Sequence, residues 1–245
     1  MVYDISVVVP CYYLHIPYLN VTFQDICAQT ILPKEVILSI SQINEETKEK
    51  IYDQFINLFK SVGVVFQIIY TIEEQYAGIN RNIGAKAASC EYIIFIDADD
   101  SIHPQKIEIT KYFLEKYQPD IMLHSFVLRQ PLDYLKFLNI NYIEASIYTT
   151  QKLLIDTFGD PAKRDRNIEL VRRNCHSLGQ KSPDGKYRMI PHGYPTVRKS
   201  LFDKYQYTNL KSGEDGVFIR DVLWDLGNII FVDVPLMNYR PNRTI

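Results

Sequence analysis

Short runs of β-branched and aliphatic residues alternate, over the first half of the chain, with segments whose apolar residues recur every three or four positions. The runs at 5–10, 36–40, 64–70, 92–96 and 121–128 have strand length and predict buried strands. Between them, Leu19, Phe23, Ile26 and Cys27 lay one apolar face along a helix, and Ile51, Phe55, Leu58 and Phe59 lay another behind Asn44, a predicted N-cap followed by two acids. A helix of small residues follows at 80–89, and another at 104–117 behind Pro104. Strands and helices alternating at this spacing mean βαβ units and a parallel sheet, so the expected fold is α/β, a Rossmann-like α/β/α sandwich whose central sheet is mostly parallel.

Periodicity is mixed from 131 to 188, and no element is assigned there. Beyond it, Val197, Leu201 and Tyr205 share a helical face behind Pro195, Glu214 and Asp215 open a further helix through Leu226, and 229–234 reads as a last strand before a basic tail, NYRPNRTI. No repeat, linker or domain boundary interrupts the 245 residues, which predicts one domain with residues 1–128 as one half and 129–245 as the other.

Composition narrows the function. With 47% hydrophobic and 23% charged residues the chain is ordinary globular protein, and a net charge of -2 excludes nucleic acid as the main partner. Cys11, Cys27, Cys90 and Cys175 form no CxxC pair, so neither zinc nor a disulfide framework is expected. No apolar stretch reaches membrane-spanning length, and the first, at 5–9, is too short for a signal segment. The expectation is a cytoplasmic protein without a transmembrane segment.

The most informative stretch is 78–101, GINRNIGAKAASCEYIIFIDADDS. Tyr92, Ile93, Ile94, Phe95 and Ile96 form a continuous apolar run, as in a central strand covered on both faces, and it stops at Asp97, Asp99 and Asp100. Ligands of open α/β sheets bind beyond the carboxyl ends of the strands, which is where these acids fall. A turn that only capped the following helix would need one acid, and this one has three. Crowded carboxylates suit a divalent cation, and oxygen ligands suit Mg²⁺ or Mn²⁺, which commonly shares its site with substrate phosphates. A diphosphate ligand follows.

These residues, together with SVVVPCYY at the first strand, DICAQTILPKEVI through the first helix and second strand, and SGEDGVFIRDVL near the end, resemble the inverting family 2 glycosyltransferases of the GT-A fold. The resemblance implies that Asp97 and Asp99 form the DxD motif, with Asp99 the direct metal ligand and Asp97 nearer the donor ribose, and that Asp100 shares or exchanges these duties. It implies that Arg81 and Asn82 lie by the nucleotide, that Pro10 and Tyr12 line the nucleobase pocket, and that Asp215, the second acid of the Glu214-Asp215 pair, is the catalytic base. The implied reaction is metal-dependent (Mn²⁺ or Mg²⁺) inverting transfer, of hexosyltransferase type, from a nucleotide-sugar donor, with a UDP-sugar favoured, to a hydroxyl of a glycan or glycoconjugate acceptor. Alone, Glu214-Asp215 would read as an acidic pair on a helix dipole; the acids upstream reverse that reading.

The chain departs from the family at the second strand. Members usually carry an acid there in a DDGS-like turn, whereas SISQINEE places Ile40 and Ser41 at those positions. Either Ser39, Ser41 or Glu45 meets the base, or the donor is unusual. The QxxRW-type motif of processive synthases is missing, which implies one sugar per encounter. A sugar nucleotidyltransferase would need a Gly-rich phosphate loop after the first strand, and PCYYLHIPYLN has no glycine. A non-catalytic sugar-nucleotide or carbohydrate-binding protein on the same scaffold is the remaining alternative. Weaker candidates are His192 for diphosphate, metal or acceptor, His103 as a helix-start residue, the charged run 163–173 as a lid, Arg240 and Arg243 for the diphosphate, and Trp224 as core.

Overall fold

The computed structural model describes residues 3–128, 136–148, 194–225 and 228–240. Strand β1 (Ile5–Tyr12) runs through a 3-10 turn (Tyr13–Tyr18) into α1 (Leu19–Cys27), and β2 (Glu35–Ser41), α2 (Glu45–Ser61), β3 (Val65–Thr71), α3 (Ala77–Ala87) and β4 (Tyr92–Phe95) follow. A two-residue strand β5 (Ser101–Ile102) precedes α4 (Lys106–Tyr117) and β6 (Ile121–Leu128). The later elements are β7 (Ala145–Tyr148), β8 (Thr196–Arg198), α5 (Glu214–Asp225) and β9 (Ile229–Tyr239).

All nine described strands share one sheet in the order β3-β2-β1-β4-β8-β6-β9-β5, with β7 paired to β9 off that path. β1 is parallel to both β2 and β4, β2 to β3, and β6 to β9; only β8, β5 and β7 run against their neighbours. Successive side chains of a strand face opposite sides, and β1 divides accordingly. Val7 and Val9 join Phe23 of α1 and Ile51, Phe55 and Phe59 of α2, while Val8 joins Ala85 of α3 and Phe218, Ile219 and Val222 of α5. Helices thus cover both faces, which is why β1, β2 and β4 are buried almost throughout, the polar Ser6 and Glu35 included. Asn44 caps α2 as expected, its side chain accepting from Thr47 N at 2.9 Å.

Two expectations are corrected. Residues 196–205 do not form a helix: Thr196 and Val197 belong to β8, and a 3-10 turn (Lys199–Asp203) follows. Val197 pairs with Ile93 of β4 and Ile121 of β6 and is completely buried, so β-branched residues inside a sheet override the i, i+4, i+8 spacing. The last strand does not stop at 234. A bulge opposite Ser125 carries β9 past Pro235, with Ser125 Oγ donating to Asp233 Oδ1 at 2.6 Å, and the strand then reaches β5.

Candidate active site

The acidic turn leaves the carboxyl end of β4 and is held from below by a polar stripe on α1. Thr22 Oγ1 donates to the carbonyls of Ala98 (2.7 Å) and Asp100 (3.0 Å), Asp25 Oδ2 accepts from Ile102 N (3.2 Å), and Gln29, just past the helix, bonds to His103 O and Ile107 N. Sequence reading followed the apolar face of α1 and missed this one, although 22, 25 and 29 have the i, i+3, i+7 spacing that marks a single helical face.

Arg81 joins the acids of two distant segments. Its Nη2 pairs with Asp97 Oδ1 at 2.8 Å and its Nη1 with Glu214 Oε1 at 2.7 Å, and the guanidinium lies 5.4 Å from the centre of the Tyr207 ring. Such a fork suits a planar guanidinium with donors in fixed directions. α3 can come this close to the start of α5 because Gly78 has no side chain: a Cβ there would sit 2.9 Å from Glu214 Cγ and from Thr208 O. The Asp97 side chain remains 27% exposed. Burial raises its pKa, Arg81 opposes that rise, and neighbouring Asp99 adds to it.

The three aspartates therefore differ. Asp99 is partly buried and has no hydrogen-bond or ion-pair partner among the described residues. Asp100 is buried and structural: its Oδ2 accepts from the Tyr194 hydroxyl in a short bond and its Oδ1 from Arg240 N at 2.9 Å. None of the three caps α4, whose N-cap is Gln105; His103 Nδ1 accepts from Gln105 N at 3.1 Å. A pair consisting of one unpartnered carboxylate and one partly exposed carboxylate whose charge is disfavoured fits a hard cation that takes its other ligands from a diphosphate. No group of three potential metal-ligating side chains occurs among the described residues, so these two would be the protein's share.

Asp215 lies in the first turn of α5 beside Glu214, its Oδ1 accepting from Gly216 N at 2.8 Å. Asn82 clamps Tyr207, donating to its carbonyl at 2.8 Å and accepting from its N–H at 2.9 Å. Tyr207, absent from the sequence reading, holds this corner together, its ring stacked on Phe218 at 4.1 Å. It lies in an aperiodic polar loop that offers no signal for its role.

Pro10 and Tyr12 sit at the carboxyl end of β1, where Tyr12 packs edge-on against Tyr13 at 4.7 Å. Alongside, Ser41 ends β2 fully buried and donates to Gln75 O at 3.2 Å, while Glu45 faces solvent and pairs with Lys48. Gln42 then takes a left-handed conformation (φ 60°) in the turn. A cavity of about 410 Å³ lined by His103, Lys136, Asn139, Tyr142 and Asp233 lies beyond β5 and includes none of the acids of this cluster. His192, the 163–173 run, Arg243 and the Trp224 side chain lie outside the described residues.

The family model described as glycosyl transferase family 2 matches residues 6–205. Glycosyltransferase GlyA of Streptococcus pneumoniae serotype 4 is 24% identical over 241 residues, which cover 96% of this chain and 30% of GlyA. The crystal structure of S. aureus TarS 1-349 superposes with a TM-score of 0.63 at 18% identity, covering 97% of this chain and 60% of that one. The same protein in complex with UDP-GlcNAc gives 0.64 at 17% identity, covering 99% and 60%. The shared architecture is the GT-A-like α/β fold, and the chain spans less than two thirds of the length of either relative.

Proposed function

The chain belongs to glycosyl transferase family 2, and from that membership we propose that it transfers a sugar from a nucleoside diphosphate donor, a UDP-sugar by preference, to a hydroxyl of a glycan or glycoconjugate with inversion at the anomeric carbon. The observation that carries this reading is the Arg81 fork: it brings the acid at the end of β4 and the acids at the start of α5 into one cluster. UDP and UDP-GlcNAc bound in the TarS structures support the choice of nucleotide.

In this reading Asp99, with Asp97, would hold Mg²⁺ or Mn²⁺, which when bound would supply positive charge opposite the departing diphosphate. Arg81 holds Asp97 and Glu214 in place, with Tyr207 beneath it. Asp215 takes the proton from the acceptor hydroxyl as its oxygen attacks the anomeric carbon, and the nucleoside diphosphate leaves from the opposite face. One displacement inverts the centre and needs no protein nucleophile. The described cysteines, Cys11, Cys27 and Cys90, are free thiols, and no described helix is long and apolar enough to cross a membrane.

Two substitutions separate the roles. Asp99→Ala abolishes Mn²⁺-dependent binding of UDP in a calorimetric titration. Asp215→Asn leaves that binding intact and slows UDP-sugar hydrolysis by roughly 10²–10⁴-fold, the usual worth of a general base. Absence of nucleotide binding with or without metal overturns the reading.

A further inference from the structure

Asn80 stands in α3 beside the ends of β1 and β2, one residue before Arg81, and is only 2% exposed. Its Nδ2 donates to Cys11 O at 3.0 Å and to Ser41 Oγ at 3.2 Å. The Cys11 carbonyl can only accept, which fixes the end of the amide that faces it, and Ser41 gives its own proton to Gln75 O and so accepts from Asn80. Both amide N–H groups are thereby directed. What remains is Oδ1, a buried acceptor with no partner among the described residues.

An amide oxygen left in that state is destabilising, and such an atom calls for a partner the described residues do not supply. Its place is informative: it lies at the carboxyl ends of two adjacent parallel strands, where open α/β sheets bind nucleotides, next to the β1 end that carries Tyr12. The loop between β3 and α3 is tied to Ser41 through the Gln75 carbonyl, and Oδ1 itself is closed to solvent, so a ligand meets it only when a neighbouring segment moves aside.

We propose that Asn80 Oδ1 reads the donor's nucleobase, accepting an imide N–H such as N3–H of uracil. Because both of its N–H groups are already engaged, the site offers an acceptor and no donor. It therefore discriminates against cytosine, whose N3 presents a lone pair, and favours bases with a ring N–H at that edge. Cys11 and Ser41 act as positioning groups that keep the amide from rotating. This inference rests on the donor-site reading above.

The test is titration of the whole chain, with Mn²⁺, against UDP, CDP and N3-methyl-UDP, on wild type and on Asn80→Ala. Wild type binds UDP at least about tenfold more tightly than either other nucleotide, and Asn80→Ala brings the three within about threefold, chiefly by weakening UDP, as the loss of one buried hydrogen bond requires. The comparison within wild type stands even if the variant fails to fold. Equal affinity of wild type for UDP and N3-methyl-UDP overturns the inference and leaves the donor site standing, as does an unchanged UDP preference in Asn80→Ala. Failure of every nucleotide to bind removes the donor-site reading itself.

Discussion

Arg81 pairs with carboxylates 16 and 133 positions away in the chain; the contact with Glu214 is buried and that with Asp97 partly so. A buried ion triad of this kind is weak evidence for stability, since desolvation offsets much of the Coulombic gain, but removing one member leaves an uncompensated charge worth about 3–5 kcal/mol. Its role is to fix the geometry between the end of β4 and the start of α5. Gln42 shows the opposite economy. Its φ of 60° carries a side chain into the left-handed region at a cost of roughly 1–2 kcal/mol, which glycine avoids while losing about 0.5–1 kcal/mol in backbone entropy. Gln42→Gly should therefore raise the unfolding free energy by about 0.5–1 kcal/mol, seen as a higher urea midpoint at unchanged m value; a lower midpoint would mean that the glutamine side chain holds the turn. Asp97, Asp99 and Asp100 were visible in the sequence because they end an apolar run, and Arg81 and Asp215 because their segments resemble the family. Asn80 and Tyr207 were not, because nothing local distinguishes a buried amide or a loop tyrosine from its neighbours until strands distant in sequence are brought beside it.

Among the elements, α3 and α4 show what periodicity conveys and what it hides. The small residues of α3 announced close packing, and Gly84 shows its extent: a Cβ would lie 2.4 Å from Val8 Cγ1, so the helix rests directly on β1. The apolar positions of α4 were equally legible, yet they gave no warning that Lys106 is fully buried, with its Nζ against His124 Nε2. His124 Nδ1–H donates to Ser125 O at 2.8 Å, which leaves Nε2 as the acceptor of a neutral ring. Burial pushes the Lys106 pKa down from 10.5 to about 7. Between those values the unfolded chain binds a proton that the folded one does not, so this group adds stability as pH rises from about 7 and is at its most destabilising below it. The slope for one proton is at most about 1.4 kcal/mol per pH unit. Lys106→Met should remove it: the difference in unfolding free energy between variant and wild type should shrink steadily from pH 7 to pH 9, the variant being relatively most stable at the acid end. A difference independent of pH would show that Lys106 keeps its ordinary basicity inside the fold.

At the scale of the whole molecule, a division at residue 128 separates the strands that precede the site from those that complete it, but the sheet does not respect that line. β8, from the later half, lies between β4 and β6 of the earlier half, and the core on that face joins Val8, Ile37 and Phe95 to Val197, Leu201, Tyr207 and Phe218. Asp100 is bonded to Tyr194 and Arg240, and Arg198 reaches Asp120 at 3.3 Å while lying 4.7 Å over the Tyr92 ring. Sequence periodicity identified the parallel α/β layer because each of its units is local, and it misread β8 because three residues become a strand only when two others flank them. The energetic consequence is that residues 1–128 alone would expose the fully buried β4 as a bare apolar edge and lose one wall of the core around Phe95. We expect that fragment to be unfolded or aggregated, and the full chain to unfold in one transition at which far-UV and near-UV dichroism coincide. Two separated transitions, or a fragment that folds and binds UDP by itself, would mean that the donor half is an autonomous unit and that the contacts of β8 and Asp100 are added to it rather than part of what makes it fold.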